Sequence, residues 1–466
     1  ILSSRFNGSG ATGQAFYDLA LAVNPSNLAV VNAGGVNAWR SVNFGNSWTL
    51  SSHWREDSVA AYGVGYTHAD IHHLEYNNGN LYCGSDGGIY VSPDAGVTWT
   101  DLSRGLGISQ FYRLGGTPQN TNMILAGAQD NGVNELGTSD SLNHIWGGDG
   151  FECIIDPTNS DIVYLSTQNG NLRRSVNDST PTRIIPLALR NTGRWLTPFV
   201  MDANNPNRIF GGYQDVWRTN DATTSPGLPS WTPLNTGNTG GLFASMAHSP
   251  ADTNRLYAAT TTTIFRTDDA LSSAPSWTNI TTGLPVAQAQ LTYIAIDPQN
   301  ADRLWVTFSG YSDGNKVFES NDSGQTWINR SGSLPNVPVN CIVYEAGSSD
   351  GLYIGTDVGV FYRDDDFGDW MYFSNGLPTI TVSELEINYA NRKIRAATYG
   401  RGLWESHLYN NCPAGFGSGY FLDEMTGVWL YEAGQFIVFD SELTGGFGTA
   451  VTLQAGDYVR LEPGFE

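Results

Sequence analysis

Short apolar segments, each followed by a turn signal, recur along most of the 466-residue chain. Pairs such as LYCGSD and GIYVS have the length and the aromatic and β-branched content of strands. A third segment often lies upstream and ends on an Asp-Pro or Asn-Pro turn, as in ECIIDP. A fourth begins at a tryptophan after the next turn. The pattern therefore predicts a unit of four strands, A to D, that repeats every 37 to 53 residues.

The turn between strands C and D has the form S-x-D/N-x-G-x-T/S-W in three places, Ser41–Trp48, Ser92–Trp99 and Ser320–Trp327. The Asp or Asn side chain can accept backbone N–H groups inside such a turn. Glycine takes the position with positive φ, and the tryptophan is expected to fill the layer between two sheets. Degenerate copies of the turn end at Trp231, Trp277 and Trp370.

Four short strands per repeat make one blade of a β-propeller, and blades must stack around an axis because each has too little core alone. We count eight complete units between Phe16 and about Phe373, and a ninth unit without an evident strand D. The predicted fold class is all-β: a single large β-propeller of eight to ten four-stranded blades with these turns, followed by a small β domain. The missing strand would come from the N-terminal segment ILSSRF or from chain upstream of Ile1.

The charge balance narrows the classes of partner. The chain has 45 acidic and 23 basic residues and a net charge of −22. Such a surface repels nucleic acids and anionic membranes, and it tolerates cations and neutral ligands such as glycans. No apolar run is long enough for membrane insertion. The start at Ile1, without a signal peptide, is interpreted as a processed or trimmed form of a longer chain.

The four cysteines are Cys83, Cys153, Cys341 and Cys412, and none has CxxC spacing. A zinc site of the CxxC type is therefore not expected. The even number leaves two alternatives open, paired disulfides or buried free thiols.

The S-x-D-x-G-x-x-W turns resemble the Asp-boxes, or BNR repeats, of sialidase-like and sortilin-like propellers. The order of AFYDLALAVNP, SDGGIYVSPDAGVTW and GGDGFECIIDP is similar to that of secreted sortilin-like propellers of the Bacteroidetes. ATYGRGLWES at 397–406 resembles the closing blade of such propellers. The resemblance implies a propeller domain at residues 1–409 and an extracellular or cell-surface location.

The tail has a different character. GGFGTAVTLQAGDYVRLEPGFE resembles the Gly-rich β repeats that precede the sorting signal of proteins exported by type IX secretion. The resemblance implies that residues 410–466 form a small, truncated β domain. It also implies that the secretion machinery is a partner through a C-terminal signal beyond Glu466.

THADIHHLEY places three histidines and an aspartate within six residues. If residues 66–76 form strand A of the second blade, His68, Asp70 and His72 alternate onto the channel side, and His73 faces the other side. The loops SDGG, AQDNG and GGDG are expected at the mouth of the same channel. The candidate binding residues are His68, Asp70, His72, Asp86, Gln129, Asp130, Asn131, Asp149 and Glu152.

These side chains leave three roles open. Oxygen-rich loops suit Ca²⁺ and the histidines suit Zn²⁺, although no cofactor is certain. A glycoside hydrolase of the xyloglucanase type would need two carboxylates across a cleft, and the candidates are Asp70, Asp86, Asp130 and Asp149. The third role is structural, because polar inner strands and Asp-Gly turns stabilise blades without any ligand.

Sialidase chemistry is not expected, because it needs an arginine cluster and an Arg-Ile-Pro signature, which TRIIPL at 182–187 does not match. Sugar rings could stack on aromatic side chains that otherwise serve as blade plugs. These aromatics are Trp39, Trp54, Phe111, Tyr112 and Trp146.

The function expected from the sequence is an extracellular, non-catalytic binding or adhesion propeller that recognises a glycan or a protein through loops at one face. The alternative is a polysaccharide-degrading glycoside hydrolase with paired carboxylates. Three Asp-Ser/Thr patterns also match the O-glycosylation acceptors of Bacteroidetes. Their acceptor residues are Ser58, Ser141 and Ser179.

Overall fold

The structure, a computed structural model, describes residues 15–137, 142–224 and 227–409, and after residue 409 the backbone of seven short strands. The chain divides into two compact units, residues 1–109 and 110–466. The domain boundary that we expected after residue 409 stays a prediction. Among the described residues, no helix is long and apolar enough to cross a membrane.

The first unit contains two four-stranded antiparallel sheets. The first sheet consists of β1 (Ala20–Val23), β2 (Val31–Gly34), β3 (Ala38–Ser41) and β4 (Thr49–Leu50). A connection follows with β5 (Ser52–His53), a 3₁₀ turn (Glu56–Ser58), α1 (Val59–Tyr62) and β6 (Gly65–Tyr66). The second sheet consists of β7 (Ile71–Asn77), β8 (Asn80–Ser85), β9 (Gly88–Ser92) and β10 (Thr100–Asp101). β7 is the first strand of its sheet and packs beside β1, over a shared core that includes Ala20, Ile71 and Leu81.

The second unit contains seven blade-type sheets. The first three are β11 (Phe111–Gly116), β12 (Ile124–Ala128), β13 (Gly132–Leu136) and β14 (Leu142–Trp146); β15 (Gly150–Ile155), β16 (Ile162–Thr167), β17 (Asn171–Val176) and β18 (Thr182–Arg183); and β19 (Phe199–Asp202), β20 (Asn205–Gly212), β21 (Val216–Thr219) and β22 (Trp231–Pro233). The next two are β23 (Ser245–His248), β24 (Leu256–Ala259), β25 (Ile264–Thr267) and β26 (Trp277–Asn279); and β27 (Leu291–Asp297), β28 (Asn300–Phe308), β29 (Val317–Ser320) and β30 (Ile328–Asn329). The last two are β31 (Val339–Tyr344), β32 (Leu352–Thr356), β33 (Gly359–Arg363) and β34 (Met371–Tyr372); and β35 (Val382–Asn388), β36 (Lys393–Thr398) and β37 (Leu403–His407). Short 3₁₀ turns lie at Gln168–Gly170 and Leu187–Leu189.

The second strand of a blade is covered on both faces by neighbouring blades. Every residue of β16 and of β24 is buried. This explains why these segments are continuous apolar runs rather than alternating ones.

The seven blades close into a ring, because the last blade packs against the first. The Leu114 N–H donates to Glu384 at 2.7 Å, and the Gly116 N–H donates to Glu386 at 2.9 Å. Apolar residues that include Leu114 and Leu403 line this seam. The other six seams each hold an apolar cluster of their own. We call residues 110–409 the seven-blade ring.

The all-β class and the blade count are confirmed, since eight sheets have four strands and the ninth, β35–β37, has three. The structure refines one point: seven blades close on themselves, instead of eight to ten in one ring. The repeat count could not show this, because ring closure depends on contacts between β11 and β35, which are about 270 residues apart. The segment ILSSRF, expected to supply a closing strand, lies outside the described residues.

The Asp-box turns have the geometry that their residue types predict. In the turn at Ser320–Trp327, Asp322 accepts from the Thr326 N–H at 2.9 Å and from the Ser320 hydroxyl at 2.8 Å. Gly324 has φ +83°, and the Trp327 indole donates to the Ile280 carbonyl of the preceding blade at 3.0 Å. The turn therefore stabilises both its own hairpin and the seam.

Three of the cysteines are buried free thiols, Cys83, Cys153 and Cys341. Cys412 lies outside the described residues. The sequence left paired disulfides and buried free thiols open, and the described cysteines are buried free thiols.

The tail contains strands that pair in parallel, as Val428 does with Ala450. These strands are β38 (Gly415–Phe416), β39 (Glu424–Met425), β40 (Val428–Ala433), β41 (Phe436–Phe439), β42 (Thr444–Gly445), β43 (Ala450–Ala455) and β44 (Tyr458–Leu461).

Candidate functional site

In the first unit, Asp86 lies in the turn between β8 and β9 and is held by two side chains. The Tyr17 hydroxyl donates to its Oδ2 at 2.7 Å, and Nε2 of His72 lies 2.7 Å from its Oδ1. The rings of Tyr17 and His72 meet edge to face at 4.8 Å. Asp86, His72 and Tyr17 therefore form an Asp–His–Tyr cluster.

Asp70 lies next to this cluster, immediately before β7. Its φ is +65°, in the left-handed region that aspartate tolerates better than most residues. The Asp86 N–H donates to the Asp70 carbonyl at 3.2 Å, and a carboxylate oxygen of Asp70 lies within 4.8 Å of one of Asp86. Burial, followed by the charges of Asp18 and Asp86, raises the pKa of Asp70 to about 6. Asp70 can therefore carry a proton in mildly acidic solution.

The expected alternation of His68, Asp70 and His72 along one strand is wrong. β7 begins only at Ile71, and a bulge shifts its register between Ile71 and His73. A bulge leaves one residue without a cross-strand partner and moves the following side chains to the other face. His72 and His73 are consequently both exposed, and His73 approaches Glu75 at 3.2 Å.

His68 is a packed residue. Its side chain is buried against Gly87, where an added Cβ would lie 2.1 Å from Cγ of the imidazole. Only a glycine fits at that point of the SDGG loop. Whether the neighbouring acids and His72 hold Ca²⁺ or Zn²⁺ stays a prediction.

In the seven-blade ring, the loops AQDNG and GGDG meet at one face. Asp149 accepts from the Asp130 N–H at 2.8 Å and from the side-chain amide of Gln168. The Asn131 side chain donates to the Gln129 carbonyl at 3.1 Å. AQDNG joins β12 to β13 within the first blade of the ring, and GGDG leads from β14 into β15 of the next blade, so the polar groups of neighbouring blades meet in one rim.

Glu152 does not belong to that rim and lies deeper in the ring. It accepts from Arg113 at 3.0 Å, and the same guanidinium lies 3.7 Å from Glu384. Tyr293 reaches Glu384 with its hydroxyl at 3.1 Å. Burial raises the pKa of both Glu152 and Glu384, against the opposing charge of Arg113. The inner strands β11, β15, β27 and β35 are thus joined by a buried ionic cluster.

An arc of four aromatic rings runs beside the rim. Tyr112 lies 5.6 Å from Tyr399 and 4.8 Å from Phe151, and Phe151 lies 5.7 Å from Trp195. Phe151 is fully buried, whereas Trp195 is 48% and Tyr399 is 40% exposed. The Tyr112 hydroxyl donates to Gln129 of the rim. We call Tyr399, Tyr112, Phe151 and Trp195 the aromatic arc.

Among the four residues of the aromatic arc, the sequence indicated only Tyr112 as a candidate for stacking on sugar rings. Trp39 and Phe111 are buried, Trp54 is half-buried, and Trp146 is covered by the Arg173 guanidinium at 3.9 Å. The two exposed aromatics that it missed are Trp195, in the segment TGRWLTP that leads into β19, and Tyr399, in the loop ATYGRG that joins β36 to β37. Their position in loops of that kind was the signal that could have found them.

The proposed O-glycosylation residues differ in setting. Ser179 lies in an exposed turn, and Ser58 is half-buried with its hydroxyl donating to Asp57 at 2.8 Å. Ser141 lies outside the described residues. Modification at these serines stays a prediction.

No protein-family model matches the chain, and no curated protein matches it. Among solved structures, the chain is similar to the crystal structure of the GH74 enzyme of Niastella koreensis, with 16% identity and a TM-score of 0.30. The match covers 83% of this chain and 68% of that one. So low a score carries no argument about activity, and the fold assignment rests on the strand order described above.

Proposed function

We propose that the chain is an extracellular, non-catalytic binding protein, and that the seven-blade ring recognises a neutral glycan at the face formed by its aromatic arc and polar rim. The observation that carries this proposal is the arc itself, which presents Trp195 and Tyr399 to solvent and reaches Gln129 of the rim through Tyr112. Aromatic faces stack on the C–H faces of sugar rings, while neighbouring amide and carboxylate groups bind hydroxyls. The extracellular location rests on the resemblance of the turns and of the tail.

The acids in the rim and beneath it, Asp149, Glu152 and Glu384, already have partners in the ring, which supports binding rather than catalysis. Glu152 and Glu384 share the Arg113 guanidinium, and Asp149 accepts two hydrogen bonds that orient its loop. A glycosidase needs one carboxylic acid and one carboxylate directed at a common bond. Carboxylates that already bind an arginine or a loop N–H hold the scaffold instead.

The charge of the chain supports a neutral ligand. A net charge of −22 disfavours polyanionic glycans at any face that lacks a cationic cluster. Arg113 is turned to Glu152 and is nearly fully buried, so its charge is already neutralised. A protein partner is the other ligand class that such a face could accept.

The test is a glycan-array screen followed by calorimetric titration of any neutral glycan found. Replacing Trp195 or Tyr399 with alanine is expected to weaken binding at least about 10-fold, because a stacked aromatic contributes on the order of 1–3 kcal/mol. Tyr311→Ala is the matched control, since Tyr311 is 73% exposed and lies outside the arc. No glycan binding at all, or equal loss in the control, would refute the glycan proposal.

A second candidate function, glycoside hydrolysis in the first unit, is favoured by one observation. Asp70 has a pKa raised to about 6, and its carboxylate lies within 4.8 Å of Asp86. A raised pKa suits a general acid, and neighbouring carboxylates suit a retaining mechanism, in which they lie about 5–5.5 Å apart.

This candidate is tested by measuring release of reducing ends from neutral polysaccharides. Asp70→Asn and Asp86→Asn would each abolish activity, and Asp101→Asn, an exposed change in the same unit, would preserve it. Absence of hydrolysis by the unaltered protein, together with glycan binding that needs Trp195, would leave only the binding proposal.

A further inference from the structure

The last blade of the seven-blade ring lacks the fourth strand that each of the other six blades has. Its third strand, β37, pairs with β36 on one side. Within residues 110–409, no described strand pairs with its other side. Four of the five residues of β37 are exposed. An unpaired strand edge of this kind is a template for another extended segment.

The hydrogen bonds between β36 and β37 show which backbone groups of β37 do not bond to β36. The Thr398 N–H donates to the Gly402 carbonyl, and the Leu408 N–H donates to the Arg392 carbonyl. Bonded and non-bonded pairs alternate in an antiparallel ladder. The backbone N–H and C=O groups of Leu403, Glu405 and His407 therefore point away from β36, toward the open edge.

A cavity of about 340 Å³ adjoins this edge at the seam between the last and the first blade. Leu114, Ile124, Leu136 and Leu403 form its apolar lining, and Trp404 lies at its side. Arg395 also lines it, with a side chain that is 1% exposed and an Nη1 without a hydrogen-bond partner. Its charge is balanced, since Nε donates to Glu405 at 3.0 Å and Nη1 lies 3.7 Å from Glu386. An Nη1 group whose charge is already balanced suits a neutral acceptor, such as a peptide carbonyl.

The sister blades show what belongs at such a seam. In four of the other six blades a leucine or isoleucine follows the fourth strand closely and is buried against the next blade. These residues are Ile184, Leu234, Ile280 and Leu334. The last blade has no fourth strand in the described residues, and the space at its seam is the cavity.

We propose that the open edge of β37 and the adjoining cavity form a peptide-binding site, distinct from the aromatic arc. The occupant is a neutral, extended segment of a partner protein that adds to β37 as a fourth strand and places a leucine or isoleucine side chain in the cavity. Main-chain hydrogen bonds supply affinity in this mode of recognition, and the pocket supplies specificity. The site continues the strand pairing that already joins the third and fourth strands in the other six blades.

The test uses the full chain and a fluorescein-labelled peptide with the sequence WTNITTGLP, which is residues 277–285. Saturable binding is expected in fluorescence anisotropy. Methylation of alternate backbone nitrogens of the peptide is expected to abolish binding, because it removes the main-chain hydrogen bonds to β37. Replacement of the isoleucine with serine is expected to weaken binding at least about 10-fold, because it removes the apolar side chain from the cavity.

Variants of the protein provide the second arm. Leu136→Trp fills the cavity and is expected to prevent binding, whereas Ile328→Trp, on the exposed fourth strand β30, is not. Trp195→Ala, in the aromatic arc, should leave peptide binding unchanged. Near-UV circular dichroism checks that each variant is folded.

Three results would overturn the proposal. These are no binding at about 1 mM peptide, equal binding of the N-methylated peptide, and a dimer in solution that excludes the peptide. The last result would mean that a second copy of the chain, rather than a partner peptide, covers the edge.

Discussion

Arg113 donates from Nε to Oε1 of Glu152 at 3.0 Å, and the two side chains are only 10% and 16% exposed. The pair joins β11 to β15, so it connects the inner strands of two adjacent blades. Oε1 of Glu384, in the last blade, lies 3.7 Å from the same nitrogen. Two buried acids thus share one cation at the point where the ring closes.

We expect Arg113→Ala to lower the free energy of unfolding by about 3–5 kcal/mol, because it leaves Glu152 and Glu384 buried without their cation. Urea denaturation monitored by tryptophan fluorescence measures this change. Lys393→Ala is the control, since Lys393 pairs with Glu405 where the two side chains are 34% and 31% exposed. That change should cost at most about 1 kcal/mol. A loss for Arg113→Ala no larger than the control would mean that the cluster does not stabilise the ring.

The glycine of an Asp-box turn offers a second prediction. Gly324 has φ +83°, and an added Cβ would lie 2.4 Å from Cδ1 of the buried Ile280. Gly314 has φ +68°, but an added Cβ there meets open space. We therefore expect Gly314→Ala to cost about 1 kcal/mol through backbone strain alone, and Gly324→Ala about 2–4 kcal/mol because overpacking is added. Equal losses of unfolding free energy would show that the seam relaxes around Ile280.

Local features of this chain were predictable from sequence, and contacts between distant blades were not. The Asp94 turn could be predicted from its residue types, since Asp94 accepts from the Ser92 hydroxyl and the Thr98 N–H, and the Gly96 N–H donates to the Ser92 hydroxyl. The bulge after Ile71 has no comparable signal, yet it changes which histidines share a face. Tyr399 and Tyr112 meet because the last and first blades are neighbours, which no repeat pattern shows.

The cysteines provide a third prediction. Burial raises the pKa of Cys83 and of Cys341 to about 12 and raises that of Cys153 as well. Since the thiolate is the reactive form, these three thiols should not react with Ellman's reagent in the native protein. All three should react in denaturant without a reductant, because none of them is in a disulfide. Rapid modification of Cys83 in the native protein would contradict the burial described here.

The protonation of Asp70 gives the last prediction, a dependence of stability on pH. Burial and the neighbouring Asp18 and Asp86 raise the pKa of Asp70 to about 6 in the folded state, from an ordinary value near 3.8. Well below pH 3.8 both the folded and the unfolded state carry the proton. As the pH rises toward about 6, the unfolded chain loses the proton first, so Asp70 progressively destabilises the first unit. Above that pH range its contribution to stability is constant.

The variant Asp70→Asn removes this titration, and asparagine tolerates the left-handed backbone at this position. The melting temperature of Asp70→Asn relative to the unaltered protein should therefore rise between pH 4 and 6.5 and then level off. Asp101→Asn, an exposed change in the same unit, should give no such rise. If the difference for Asp70→Asn is the same at every pH, Asp70 is not protonated in the folded unit, and its proposed role as a general acid would lose its support.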